Sequence, residues 1–138
     1  MTATAGGLKL RIDPPAKFSG SSYEEFAKKL RNYMCLSDLA YADLMNWATK
    51  QPTTITRQQM HERDVDEKFE TTLKLSYLFY YVLSGLTEGP AYTIVDQIED
   101  ANGLEAWRRL AQRYAKTKLQ NAIMMLVSIV NTKFAERL

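Results

Sequence analysis

The chain has 138 residues, 46% hydrophobic and 25% charged, with a net charge of +2, a balance that suits one ordinary globular domain and excludes a disordered chain. Its one cysteine, Cys35, excludes an internal disulfide and a cysteine-built zinc site. The longest uncharged windows, 75–87 and 119–132, are too short to span a bilayer, and residues 1–13 lack an apolar signal core. The expectation is an intracellular, cytoplasmic protein without a membrane partner. Residues 1–16 form a flexible lead-in in which Leu8, Leu10 and Ile12 alternate with Lys9 and Arg11, the pattern of a short strand. Pro14-Pro15 enforces extended backbone, and Ser19-Gly20-Ser21 is a turn.

Ser21 and Glu24 have capping-box spacing, which predicts a helix starting there with Phe26, Leu30, Tyr33 and Met34 as its buried stripe. A break near Leu36-Ser37 leads to a second helix, capped by Ser37 or Asp38, that presents Leu39, Leu44 and Trp47 and ends before Gln51-Pro52. After a loop, one continuous helix is predicted from Arg57 or Gln58 to Ser84, with Gly85 as its C-terminal cap. Its first half is polar and acidic; its second, Leu73–Leu83, is apolar nearly all round and reads as the buried hub. Pro90 opens a short helix with the stripe Ala91, Ile94, Val95 and Ile98. The next helix lines up Leu104, Trp107, Ala111 and Tyr114, with Leu110 beside them and Arg108, Arg109, Gln112 and Arg113 on the opposite side. After a break at Lys116-Thr117-Lys118, Thr117 can cap a last helix carrying Leu119, Ile123, Leu126, Val130 and Phe134. Met125, Val127 and Ile129 lie off that stripe. Six helices with short connections predict an all-α bundle.

Candidates for chemistry are few. His61, between Glu62 and Arg63 on a polar helix, has no nucleophile beside it and reads as solvated surface. Asp64-Val65-Asp66 imitates a metal pair, but residues two apart on a helix diverge by about 200°, so the run Glu62–Glu70 reads as a wet face with Asp64 and Lys68 paired. Cys35 reads as a small core filler. No phosphate loop, nucleophile elbow or dinucleotide fingerprint is present. The expectation is a non-enzyme with no catalytic residue, cofactor, metal or small-molecule substrate.

Charge is unevenly divided. From Gly103 to Leu138 there are seven Lys/Arg against two acids, a net of +5; the preceding residues carry eleven bases against fourteen acids, a net of −3. Such opposite halves suit a polyanion contact or head-to-tail self-association. The cluster Arg108, Arg109, Arg113, Lys116 and Lys118 is the candidate contact for a phosphate backbone or an acidic partner, beside the plainer reading of a solvated face. A third possibility is a helical adaptor that docks a peptide in a groove beside Tyr77–Tyr81.

Three stretches in order also carry a resemblance. Phe18-Ser19-Gly20 with Tyr23, Phe26 and Leu30 is similar to the "F-x-G … Y/W-x-x-W/F" opening of LTR-retrotransposon Gag capsid domains. Leu83 to Ala91 resembles their "L-x-G-x-A" junction, and Trp107, Leu110 and Tyr114 their "W-x-x-L-x-x-x-Y/F" helix. The resemblance covers residues 18–134 and makes Phe18, Phe26, Trp107, Leu110 and Tyr114 family-motif core positions. It implies a retroviral-capsid-like protein of gypsy- or copia-type elements, or a domesticated derivative, that self-assembles as a homo-oligomer into shells around RNA. It also implies a first lobe over residues 17–100 and the opening of a second over 103–138, with the chain a fragment of a longer protein. No C-x-x-C zinc knuckle accompanies it.

Overall fold

The computed structural model of the chain describes residues 2–5, 8–11, 13–64, 71–115 and 118–136. Two strands, β1 (Thr2–Ala5) and β2 (Leu8–Arg11), pair antiparallel with Thr2 opposite Arg11 and Ala5 opposite Leu8. Seven helices follow among the described residues: α1 (Tyr23–Cys35), α2 (Ala40–Thr49), α3 (Arg57–Arg63), α4 (Thr71–Leu86), α5 (Gly89–Asp96), α6 (Gly103–Tyr114) and α7 (Lys118–Glu136). The molecule is a small helical bundle, as the 3.6-residue periodicity requires. The strand at Leu8 is present, and its partner β1 lies in a stretch read from the sequence as irregular.

The long helix predicted over 57–84 is two helices. Thr56 starts α3 with a reciprocal capping box, its hydroxyl accepting from the Gln59 backbone N–H while the Gln59 side chain accepts from the Thr56 N–H. Asp64 ends α3 and is buried instead of solvated. Its carboxylate accepts from the Thr72 backbone N–H at 3.0 Å and from the Thr72 hydroxyl at 2.8 Å, capping the first turn of α4. Lys68, Val65 and Phe69 lie outside the described residues, as do Lys116 and the expected cap Thr117.

Other helix ends differ from expectation for equally local reasons. The Ser21–Glu24 capping box does not form; Ser22 precedes α1 in a left-handed conformation without a side-chain cap. Asp38 accepts from the Ala40 N–H at 2.9 Å at the start of α2, as expected of it, but Leu39, expected on the presented face, is turned out, 80% exposed. Gly85 lies inside α4. The Thr87 hydroxyl donates to the Leu83 carbonyl and the Phe18 N–H donates to the Leu86 carbonyl, so that end is satisfied without a glycine cap.

The hub is α6, not the apolar half of α4. Gly103–Arg108, Leu110 and Ala111 are all buried, and α6 packs against α4, α2 and α5. In α4, Leu75, Phe79 and Leu83 face the core, but Leu78 and Tyr81 are exposed. The α6 stretch, placed by the resemblance at the start of a second lobe, therefore shares one core with α1–α5. Its first residue sets the spacing: a Cβ on Gly103 would lie 2.4 Å from both the Ser76 carbonyl oxygen and the Tyr80 nitrogen of α4.

Tyr41 is fully buried, and its hydroxyl donates to the Leu75 carbonyl at 2.6 Å, tying α2 to α4. Burial and the Asp38 carboxylate push its phenol up to about 12. Burial and Glu24 push the Tyr23 phenol up as well. An unfolded phenol ionises near pH ~10. Because the folded values are raised, this stabilisation is fully present below about pH 10 and is lost as pH rises through the folded values. The melting temperature is expected to fall between about pH 10 and 12. Tyr41→Phe should flatten that fall and cost on the order of 1 kcal/mol at neutral pH, both readable by thermal melts across pH.

Candidate functional site

The five cations predicted as a contact surface do not act alike. Arg108 is 6% exposed. Its Nε donates to the Thr53 carbonyl at 2.8 Å and lies 3.2 Å from Glu105 Oε1, while its Nη1 is buried without a hydrogen-bond partner. Arg109 is partly exposed, with its Nε bonded to Glu105 Oε2 at 2.7 Å. Arg113 is exposed on the last turn of α6. Lys116 lies outside the described residues, and of Lys118 the backbone alone is described, as the first residue of α7. Thus Arg108 is withdrawn from any surface contact. A guanidinium on the flank of the hub helix is walled in by the loop before α3, a neighbour that helix periodicity cannot foresee.

Glu105 organises this region. Nearly fully buried, it accepts from the Ile55 backbone N–H at 2.9 Å and bridges both arginines. Asn102, the N-cap of α6, accepts from the Glu105 N–H and donates to the Ile55 carbonyl at 2.8 Å. Ser76 joins them by donating to Asn102 Oδ1 at 3.3 Å and accepting from the Leu104 N–H at 3.2 Å. These bonds hold the extended loop 53–56 against the start of α6. Sequence reasoning missed Glu105 and Asn102. The available signal was Glu105 standing three and four residues before two arginines, the spacing of helical ion pairs.

The motif aromatics, by contrast, meet. Phe18 stacks on Phe26 at 4.8 Å between ring centroids and packs edge-on against Tyr114 at 5.0 Å. Tyr23 contacts Trp107 at 5.7 Å, and Trp107 contacts Phe79 at 5.8 Å. Leu110 is fully buried in the same core. The Phe18 N–H donates to the Leu86 carbonyl at 2.8 Å, and the Glu88 N–H donates to the Phe18 carbonyl at 2.9 Å, a parallel bridge that fastens the lead-in to the α4–α5 junction. Gly20 has φ +129°, and a Cβ there would meet the Tyr114 ring at 3.2 Å. A side chain at that turn would therefore meet both backbone strain and a ring.

Two further surfaces stand out among the described residues. A cleft of about 710 Å³ runs beside Tyr77, between loop 54–57 and loop 97–102, and includes Asp100 of the left-handed pair Asp100–Ala101. Helix α7 is the other: every described side chain from 122 to 135 is exposed, including Met125 (66%) and Phe134 (65%). His61 is exposed and Cys35 half-buried against the core. Among the described residues, no group of three or more His, Cys, Asp or Glu could hold a metal ion, and no helix is long and apolar enough to cross a membrane. No family model, no curated protein and no solved structure matches the chain.

Proposed function

We propose that this chain is a non-catalytic, self-assembling capsid-like unit of the LTR-retrotransposon Gag type, acting in the cytoplasm and forming multimeric shells around RNA. The observation that carries the reading is the meeting of the three motif stretches. Phe18 and Gly20, the 83–91 junction and the Trp107–Tyr114 face close on one aromatic cluster, bridged by backbone hydrogen bonds through Phe18. Motif residues that serve packing in this way suit a family defined by its scaffold and not by a reactive site. The exposed apolar α7 is one surface on which protomers would meet.

RNA contact in this reading is electrostatic and falls to Arg109 and Arg113, with Arg108 excluded by its burial. The purified chain, followed by sedimentation and electron microscopy across protein concentration and salt, with and without single-stranded RNA, is expected to form multimers that RNA promotes. A particle that stays monomeric under every condition would sink the proposal. In the same assay Arg113→Gln should lower RNA affinity and reduce its salt dependence without changing the melting temperature. Arg108→Gln should instead lower the melting temperature.

A further inference from the structure

Helix α7 leaves its most apolar arc uncovered. Residues 119, 123, 126, 127, 130 and 134 fall within about 100° of the helix circumference. Of these, Ile123, Leu126, Val127, Val130 and Phe134 are each more than half exposed, and Leu119 shares the arc by position. Asn121, Ser128 and Thr132 lie on the opposite arc, between the exposed Met124 and Met125.

The spacing along the arc is 4, 3, 1, 3, 4, the same read from either end. We infer that α7 is a homodimerisation helix, pairing antiparallel with α7 of a second copy about a two-fold axis between Leu126 and Val127. In that register Leu126 opposes Val127, Ile123 opposes Val130, and Leu119 opposes Phe134. Every apolar position therefore meets an apolar position, as an isologous contact requires. A parallel pair in heptad register would continue from 119, 123, 126 and 130 to 133, setting two Lys133 residues against each other in the seam.

Antiparallel pairing also opposes the helix dipoles of the two copies, which a parallel pair would align. Helix α7 has 19 residues, and a helix of that length is roughly 28 Å long and about 10 Å across; pairing two covers several hundred Å² on each copy, the low end for a specific interface and the scale of a reversible one. The surface groove between α1, α2 and α6 is a poorer home, because its apolar residues Tyr23, Met45 and Trp107 are already buried. The pairing rests on the self-assembly reading for its role and on α7 alone for its geometry.

The test uses the full chain carrying Cys35→Ser. Sedimentation equilibrium is expected to show a monomer–dimer equilibrium that Leu126→Glu with Val130→Glu weakens by roughly 100-fold or more. The melting temperature should barely move, since the described α7 side chains are exposed. Mixed Ile123→Cys and Val130→Cys chains should cross-link to each other on mild oxidation, and neither should do so alone. A strictly monomeric chain, a dimer indifferent to the glutamates, Ile123→Cys chains cross-linking among themselves, or cross-links from α7 into the α1–α2–α6 groove would each overturn the pairing. Multimers that persist in the glutamate variant would sink the pairing and leave the shell reading standing. Dimers that never grow larger would do the reverse.

Discussion

Gly103→Ala is expected to cost about 3 kcal/mol or more, because the added methyl would strike backbone and not a movable side chain. Its Cβ would lie 2.4 Å from the Ser76 oxygen and the Tyr80 nitrogen and 2.9 Å from the Phe79 carbonyl carbon. No rotamer change relieves such contacts, so α6 must move off α4 at the point where their packing is closest. Urea denaturation should show a lowered midpoint, and a thermal melt a drop of roughly 10 °C. Gly85→Ala is the internal control. It is also a helical glycine, nothing lies within 4 Å of its Cβ position, and replacement should stabilise by about 0.5–1 kcal/mol. Equal effects at the two positions would refute the close-approach account.

Glu105→Ala is expected to destabilise by about 3–5 kcal/mol, the range for removing one partner of a buried ion pair. The loss is compound: the Ile55 N–H loses its acceptor, and Arg108, already carrying one unpaired nitrogen, becomes an uncompensated buried cation. Arg109→Ala should cost at most about 1 kcal/mol, since its guanidinium is partly exposed and water replaces the carboxylate. Replacing Glu105 and Arg108 together by Met should recover most of the loss, because desolvation of the pair offsets much of its attraction. Chemical denaturation of the three variants decides it. A double variant as unstable as Glu105→Ala would mean that the Ile55 bond, and not the arginine, is what Glu105 serves.

Both predictions concern residues whose roles were hard to read along the chain. The stripes of α1, α5 and α6 were legible because apolar period is local, and Leu30, Val95 and Leu110 are buried as their spacing demands. Leu39 broke that pattern because it precedes the first turn of α2 and points outward, 80% exposed. The split at Asp64 was hidden too. An acid in a polar helical run looks solvated until Thr72, eight residues on, supplies its partners. The basic cluster was visible as composition, but its division into a buried Arg108, a bridged Arg109 and an exposed Arg113 was not.

Sequence alone determined the class of this protein: helices of given phase, an aromatic face around Trp107, an apolar last helix, and a charge that changes sign along the chain. Those properties depend on neighbours three or four residues away, which the chain itself specifies. Tertiary structure decided which helix became the hub, which glycine had to remain a glycine, and which cation reached the surface. Each of those depended on a distant partner: Thr53 for Arg108, Ile55 for Glu105, and the α4 backbone for Gly103. Burial of a charge or a glycine is a property of what the fold brings against it, and no local period encodes that.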